Sequence, residues 1–168
     1  MPKTVTSHTL QLVTFSTSLS FTEVTSRLDA QIGKEKILAT PVPTSGAASS
    51  IEAFEAHINS RVGPSGFLYF NEHNHGAWMK LFSNSRRAVL YVLGNPLVGQ
   101  TFLQYDLRGA LNIPPRVLVL EKADGTGTEV VYHLPSSLIA LDDNEKLRAA
   151  AEGLDNKLEA LVESITAT

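Results

Sequence analysis

The chain has 168 residues, with 14 Lys and Arg against 17 Asp and Glu, five histidines and no cysteine. That length suits one domain burying roughly 70% of its unfolded surface, and the missing cysteines exclude disulfides, thiolate metal sites and Cys nucleophiles. Cations are scattered, with Arg86-Arg87 the one adjacent arginine pair; phosphate backbones need clustered cations, so no nucleic acid partner is expected.

The opening residues hold no apolar run of signal-peptide length, and no stretch nears the roughly 20 apolar residues of a membrane span. The expectation is a cytoplasmic protein with no membrane contact. Leu10 to Phe15 (LQLVTF) reads as a first strand. Ser20 and Glu23 form a capping box, and Phe21, Val24, Leu28 and Ile32 recur at helical spacing up to Gly33, a stop signal.

Residues 34–48, with two prolines and a glycine, read as a loop and as the most mobile segment. Ser49 and Glu52 repeat the capping box before Ile51, Phe54, Ile58 and Val62, and Gly63-Pro64 closes that helix. Phe67 to Phe70 is a short buried strand, and Glu72-His73-Asn74-His75-Gly76 the turn leaving it. Ala77 to Phe82 is one helical turn or a short strand. Ala88 to Leu93 and Val117 to Leu120 are continuous apolar runs, which predicts central strands buried on both faces. Asp124-Gly125 marks a hairpin to the strand Thr128–His133. Asp142 with Glu145 can cap a last helix, in which Leu147, Ala151, Leu154, Leu158, Leu161 and Ile165 alternate spacings of four and three. Helices interleave with strands, so the class is α+β: a mainly antiparallel sheet with helices on one face.

Chemistry-bearing residues are few. His73 and His75 share a face of an extended segment with Glu72 near, a weak metal-site pattern that lacks local third and fourth ligands; His133, His57 or His8 would have to come from elsewhere. A solvated polar turn explains the same residues, and neither a metal nor a cofactor is called for. The letters His73-Asn74-His75 match a nuclease label only by coincidence, since nothing here forms the ββα unit. No G-x-S-x-G elbow supports a hydrolase triad, and no Gly-rich loop with a P-loop lysine supports nucleotide binding. Gly94-Asn95-Pro96 serves as strand-to-helix punctuation. Asn95 could also present a helix N-terminus to a carboxylate or phosphate.

The stretch YVLGNPLVGQTFLQYDLRGALNIPPRVLVLEKADGTGTEVVYHLP, from Tyr91 to Pro135, resembles the domain-of-unknown-function 302 (DUF302) family, also called TT1751-like. A strand stops at Gly94-Asn95-Pro96, and Pro114-Pro115 precedes the Arg116-Val117-Leu118-Val119 strand. His75-Gly76-Ala77-Trp78 is similar to a family pattern in which an acidic residue precedes the histidine; here Asn74 stands there. Tyr132-His133-Leu134-Pro135 takes the place of the family's Tyr-Asn-Asp-Pro. The resemblance implies one TT1751-like domain over residues 1–168, with 34–65 an insertion or lengthened connection. It also implies a homodimer formed through the sheet or the helix after Pro96, and it favours His75 over His73 as a functional histidine. It establishes no activity. The expected function is small-molecule binding in a pocket lined by His75, Asn95, Tyr132 and Glu72. The alternatives are an isomerase or lyase on a small carbonyl compound, with His75 as general acid or base and Glu72 as the other catalytic candidate, and a non-catalytic dimeric interaction domain.

Overall fold

The computed structural model describes residues 1–39, 50–82 and 86–168. Five strands form one antiparallel sheet in the order β1-β5-β4-β3-β2, with β1 Leu12–Thr17, β2 Leu68–Asn74, β3 Ala88–Gly94, β4 Arg116–Glu121 and β5 Thr128–His133. Seven α-helices accompany them among the described residues: α1 Phe21–Gln31, α2 Lys34–Ala39, α3 Ile51–Asn59, α4 His75–Met79, α5 Pro96–Leu103, α6 Pro135–Ile139 and α7 Glu145–Thr166. None is long and apolar enough to cross a membrane.

Local chemistry explains the helix ends. The Ser20 hydroxyl accepts the Glu23 N–H at 3.1 Å, and Gly33, at φ +64°, turns the chain out of α1. Ser50 caps α3 by accepting the Ala53 N–H; the expected cap, Ser49, lies outside the described residues. Asn144, not Asp142, caps α7, taking the Leu147 N–H at 3.0 Å, while Asp142 instead accepts the Asn144 N–H. The apolar stripe of α7 is buried at every predicted position and carries one carboxylate, Asp155, that is 8% exposed.

Three local expectations need correction. Residues 34–39 are helical, because Lys-Glu-Lys-Ile-Leu-Ala contains good helix formers and no breaker; residues 40–48 of the expected loop lie outside the described chain. Glu72, His73 and Asn74 are not a turn but the second half of β2, held by pairing with Tyr91, Leu90 and Val89. A bulge at Phe70 shifts the register between Tyr69 and Asn71. The third concerns burial. β3 and β4 are central in strand order, but only one face of each is deeply covered.

That covered face is the core. Val89, Tyr91 and Leu93 of β3, Val117 and Val119 of β4, and Val130 and Tyr132 of β5 pack with Val24, Leu28, Leu154, Leu158 and Leu161. The alternate residues, including Leu90, Leu118 and Val131, are half-buried on the opposite face. Leu90 pairs with Leu118 and Leu118 with Val131, so an apolar row crosses three strands. Arg116 and His133 stand at one end of that face, and Glu129 at the other.

Candidate functional site

Asn95 is fixed twice. Its Oδ1 accepts the Leu97 N–H and its Nδ2 donates to Gly66 O, each at 2.8 Å, so one side chain caps α5 and ties it to the segment before β2. Beside it opens a cleft of about 600 Å³, lined by Phe54, Phe70, Asn95, Pro96, Gly99, Gln100, Leu103, Gln104, Leu107, Ile113 and Pro114. The bulge at Phe70 puts that ring by the sheet end, where an added Cβ at Gly94 would lie 3.4 Å from it. No described lining residue carries a charge. Asn95 was legible as a candidate; the other walls were not. Phe54 falls at the helical spacing of Ile51, Ile58 and Val62, yet it is 38% exposed and lies at the cleft.

His75 does not join Asn95. Both residues leave strands that pair, but the pairing is antiparallel: Leu68 faces Gly94 at one end and Asn74 faces Val89 at the other. Six residues of strand separate those ends, roughly 20 Å at the usual rise. At its own end, His75 belongs to a surface run of rings. His73 and His75 have centroids 6.3 Å apart, His75 and Trp78 6.0 Å, and Trp78 and Phe82 6.2 Å. Asn74 accepts the Ala77 N–H with its Oδ1 and caps α4. Among the described residues no group of three or more His, Cys, Asp or Glu could hold a metal ion. His57 on α3 lies against Arg61, just past the helix end, and His133 stands on the open sheet face.

Glu72 points to the covered face, where its Oε2 accepts a 2.7 Å bond from Lys34 Nζ. The same ammonium donates to Asp29 Oδ2 at 3.3 Å and sits 5.3 and 5.5 Å from the ring centroids of Tyr69 and Tyr91. Burial pushes the Asp29 carboxyl above its usual range, and Lys34 pulls it back only in part. Burial likewise raises the Tyr91 hydroxyl, which the charges of Asp29 and Glu72 push further. This is a partly exposed ion cluster joining α1, α2, β2 and β3. Tyr132 lies three strands from Glu72, 3% exposed, its ring stacked 6.5 Å from Phe15. Burial first, then the charges of Glu159, Asp155 and Glu163, push its hydroxyl up to about 12. Of the four predicted pocket residues, therefore, the cleft takes one.

The family model "Domain of unknown function DUF302" matches residues 44–165. The chain belongs to the DUF302 family. A solved structure agrees with this assignment: the crystal structure of an uncharacterized conserved DUF302 protein from Bacillus stearothermophilus is similar at a TM-score of 0.62 and 16% identity, over 90% of this chain and 95% of that one. At that identity the likeness is one of fold. A search of curated proteins found no significant match. In this DUF302 chain the two most family-like motifs, Gly94-Asn95-Pro96 and His75-Gly76-Ala77-Trp78, thus occupy opposite ends of one strand pair.

Proposed function

We propose that this DUF302 protein binds a small, mainly apolar molecule in the cleft beside Asn95. The cleft's size carries the reading: about 600 Å³ falls within the roughly 300–1,000 Å³ of small-molecule sites, which are mostly apolar with a few placed polar groups. Here those groups are the carboxamides of Asn95, Gln100 and Gln104. An isomerase or lyase would need an acid or base at the reacting atom. The described lining offers none, and His75 stands at the far end of the strand pair, so binding is favoured over catalysis.

Native mass spectrometry of freshly purified protein tests this, with Leu107→Asp as the comparison because Leu107 is 76% exposed and cheap to change. An adduct present in the wild type and lost in the variant supports the cleft. An adduct kept in the variant moves binding elsewhere. The idea fails if there is no adduct and no compound in an apolar library raises the melting temperature.

The open sheet face favours a second reading alongside the first, a homodimer. Five strands about 4.8 Å apart and six residues long span about 24 by 20 Å in plan, and standing side chains bring that towards the roughly 800 Å² per partner of a standard interface. A twofold axis across the strands would lay the Arg116 and His133 end over the Glu129 end of the second copy, pairing opposite charges around the Leu90–Leu118–Val131 row.

A further inference from the structure

Gly99 occupies the interior of α5, where glycine is a poorer helix former than alanine. Its backbone is helical, so no left-handed angle calls for it. A Cβ added there would meet only Leu103 Cδ1, at 4.0 Å, an ordinary contact. Contrast Gly76, where a Cβ would lie 2.7 Å from the Ala88 nitrogen and 2.8 Å from Arg86 O: that glycine is demanded by packing. Neither conformation nor packing demands Gly99. Gly99 is itself buried, and its missing side chain leaves the cleft wall without a Cβ at that point.

The rest of the wall follows from helical spacing. Pro96, Gly99 and Leu103 fall three and four apart and make one stripe along α5, while Gln100 and Gln104 make the adjoining one. The first stripe is a flat apolar floor; the second is an amide edge. Gln104 Nε2 donates to Thr101 O at 2.8 Å, which leaves its carbonyl oxygen, and the Gln100 carboxamide has no hydrogen-bond partner among the described residues. Such amides offer donor and acceptor together and match an uncharged polar group. An ionised ligand would lose part of its hydration there and gain no counter-charge.

We propose that the cleft selects an uncharged, flat apolar molecule, its ring system laid against the backbone at Gly99 and a hydroxyl, carbonyl or amide group at the Gln100 and Gln104 edge. This rests on the cleft being a binding site and adds the chemical class of its ligand.

The test uses the full-length protein and N-phenyl-1-naphthylamine, a neutral flat fluorophore. Three displacers share one ring system at pH 7: 2-naphthol (neutral), 2-naphthoate (anionic) and 2-naphthylmethylamine (cationic). The expected result is displacement by 2-naphthol at about tenfold lower concentration than by either ion, the penalty for an unpaired buried charge. Gly99→Leu, whose Cβ meets no backbone, should weaken fluorophore binding by about tenfold or more while melting no lower than wild type.

Equal displacement by all three naphthalenes overturns charge selection and leaves the cleft standing. Stronger displacement by 1-decanol than by 2-naphthol overturns the flat shape. Unchanged binding in Gly99→Leu overturns the role of Gly99. No fluorophore binding to either protein sinks the cleft as a site altogether. A change of molecular mass in Gly99→Leu would make the cleft an interface between copies, and the ligand proposal would fall.

Discussion

Lys34 and Glu72 stand 38 residues apart in sequence, yet their Nζ and Oε2 meet at 2.7 Å across the junction of α2 and β2. Lys34 also holds Asp29, so one ammonium separates two carboxylates. Burial disfavours its charge, but the bond to Glu72 and the charge of Asp29 outweigh that and raise its pKa above the usual lysine range. Lys34→Met should therefore cost more than Glu72→Gln, because it leaves two carboxylates facing each other. Fully buried pairs lose about 3–5 kcal/mol when one partner goes; these are partly exposed, so about 1–3 kcal/mol is expected for Lys34→Met and under about 1 for Glu72→Gln. Urea titration of both variants measures the order, and an equal or reversed order refutes the hub.

The pH response has a defined sign at Asp155. Its Oδ1 accepts the Ser136 N–H at 2.8 Å, but burial dominates and raises its pKa above the usual aspartate value. A raised folded-state pKa means the native protein holds this proton more tightly than the unfolded chain. The resulting stability is fully present below the unfolded pKa, near 4, and is lost as pH rises through the folded value. Asp155→Asn keeps an acceptor for Ser136 and removes the charge. It should be at least as stable as wild type at pH 7 and should flatten the fall in stability above pH 4. Urea titrations at several pH values decide; an unchanged slope removes Asp155 as the source.

Adjacent residues on β4 separate fold from assembly. Val119 is fully buried among the helices, whereas Leu118 faces the open side. Val119→Asp should cost more than about 3 kcal/mol by burying an unpaired charge. Leu118→Asp should change monomer stability by less than about 1.5 kcal/mol but abolish the dimer proposed above. Light scattering at micromolar concentration checks the second half: a wild-type monomer, or a Leu118→Asp dimer, removes the open face as the interface.

Gly76→Ala should destabilise the protein by more than about 2 kcal/mol, since its Cβ would be driven into the backbone at Ala88 and Arg86. Ala77, exposed on the same helix, should accept serine with a change within about 0.5 kcal/mol. Thermal melts of the two variants compare them. A silent Gly76→Ala would mean that α4 can lift from β3 freely.

Much of the fold was legible because local signals agreed with tertiary demand. In α1 the cap at Ser20, the stripe from Phe21 to Leu28 and the stop at Gly33 all mark the same element, and in α7 the apolar stripe alone marks it, although the cap is Asn144 rather than Asp142. The polar half of β2 was illegible for the opposite reason. Nothing in Glu-His-Asn favours a strand; pairing with β3 and a lysine far away in sequence hold it there. Alternation in β3 was hidden because its open face is also apolar, so Leu90 and Val92 read like core. The cleft was out of reach for a related reason: its walls come from α3, β2, α5 and the segment around Pro114, and no local window contains them. Gly99, idle within a helix, was the available clue.

The antiparallel run of β2 and β3 also limits what one motif can report about the other. Substitutions more than about 7–10 Å apart and without shared partners add in free energy, and roughly 20 Å of strand separates the His75 end from the Asn95 end. This chain carries Asn74-His75 at one end and Gly94-Asn95-Pro96 at the other. A change at the histidine motif therefore leaves the cleft untouched, and each end reports only on itself.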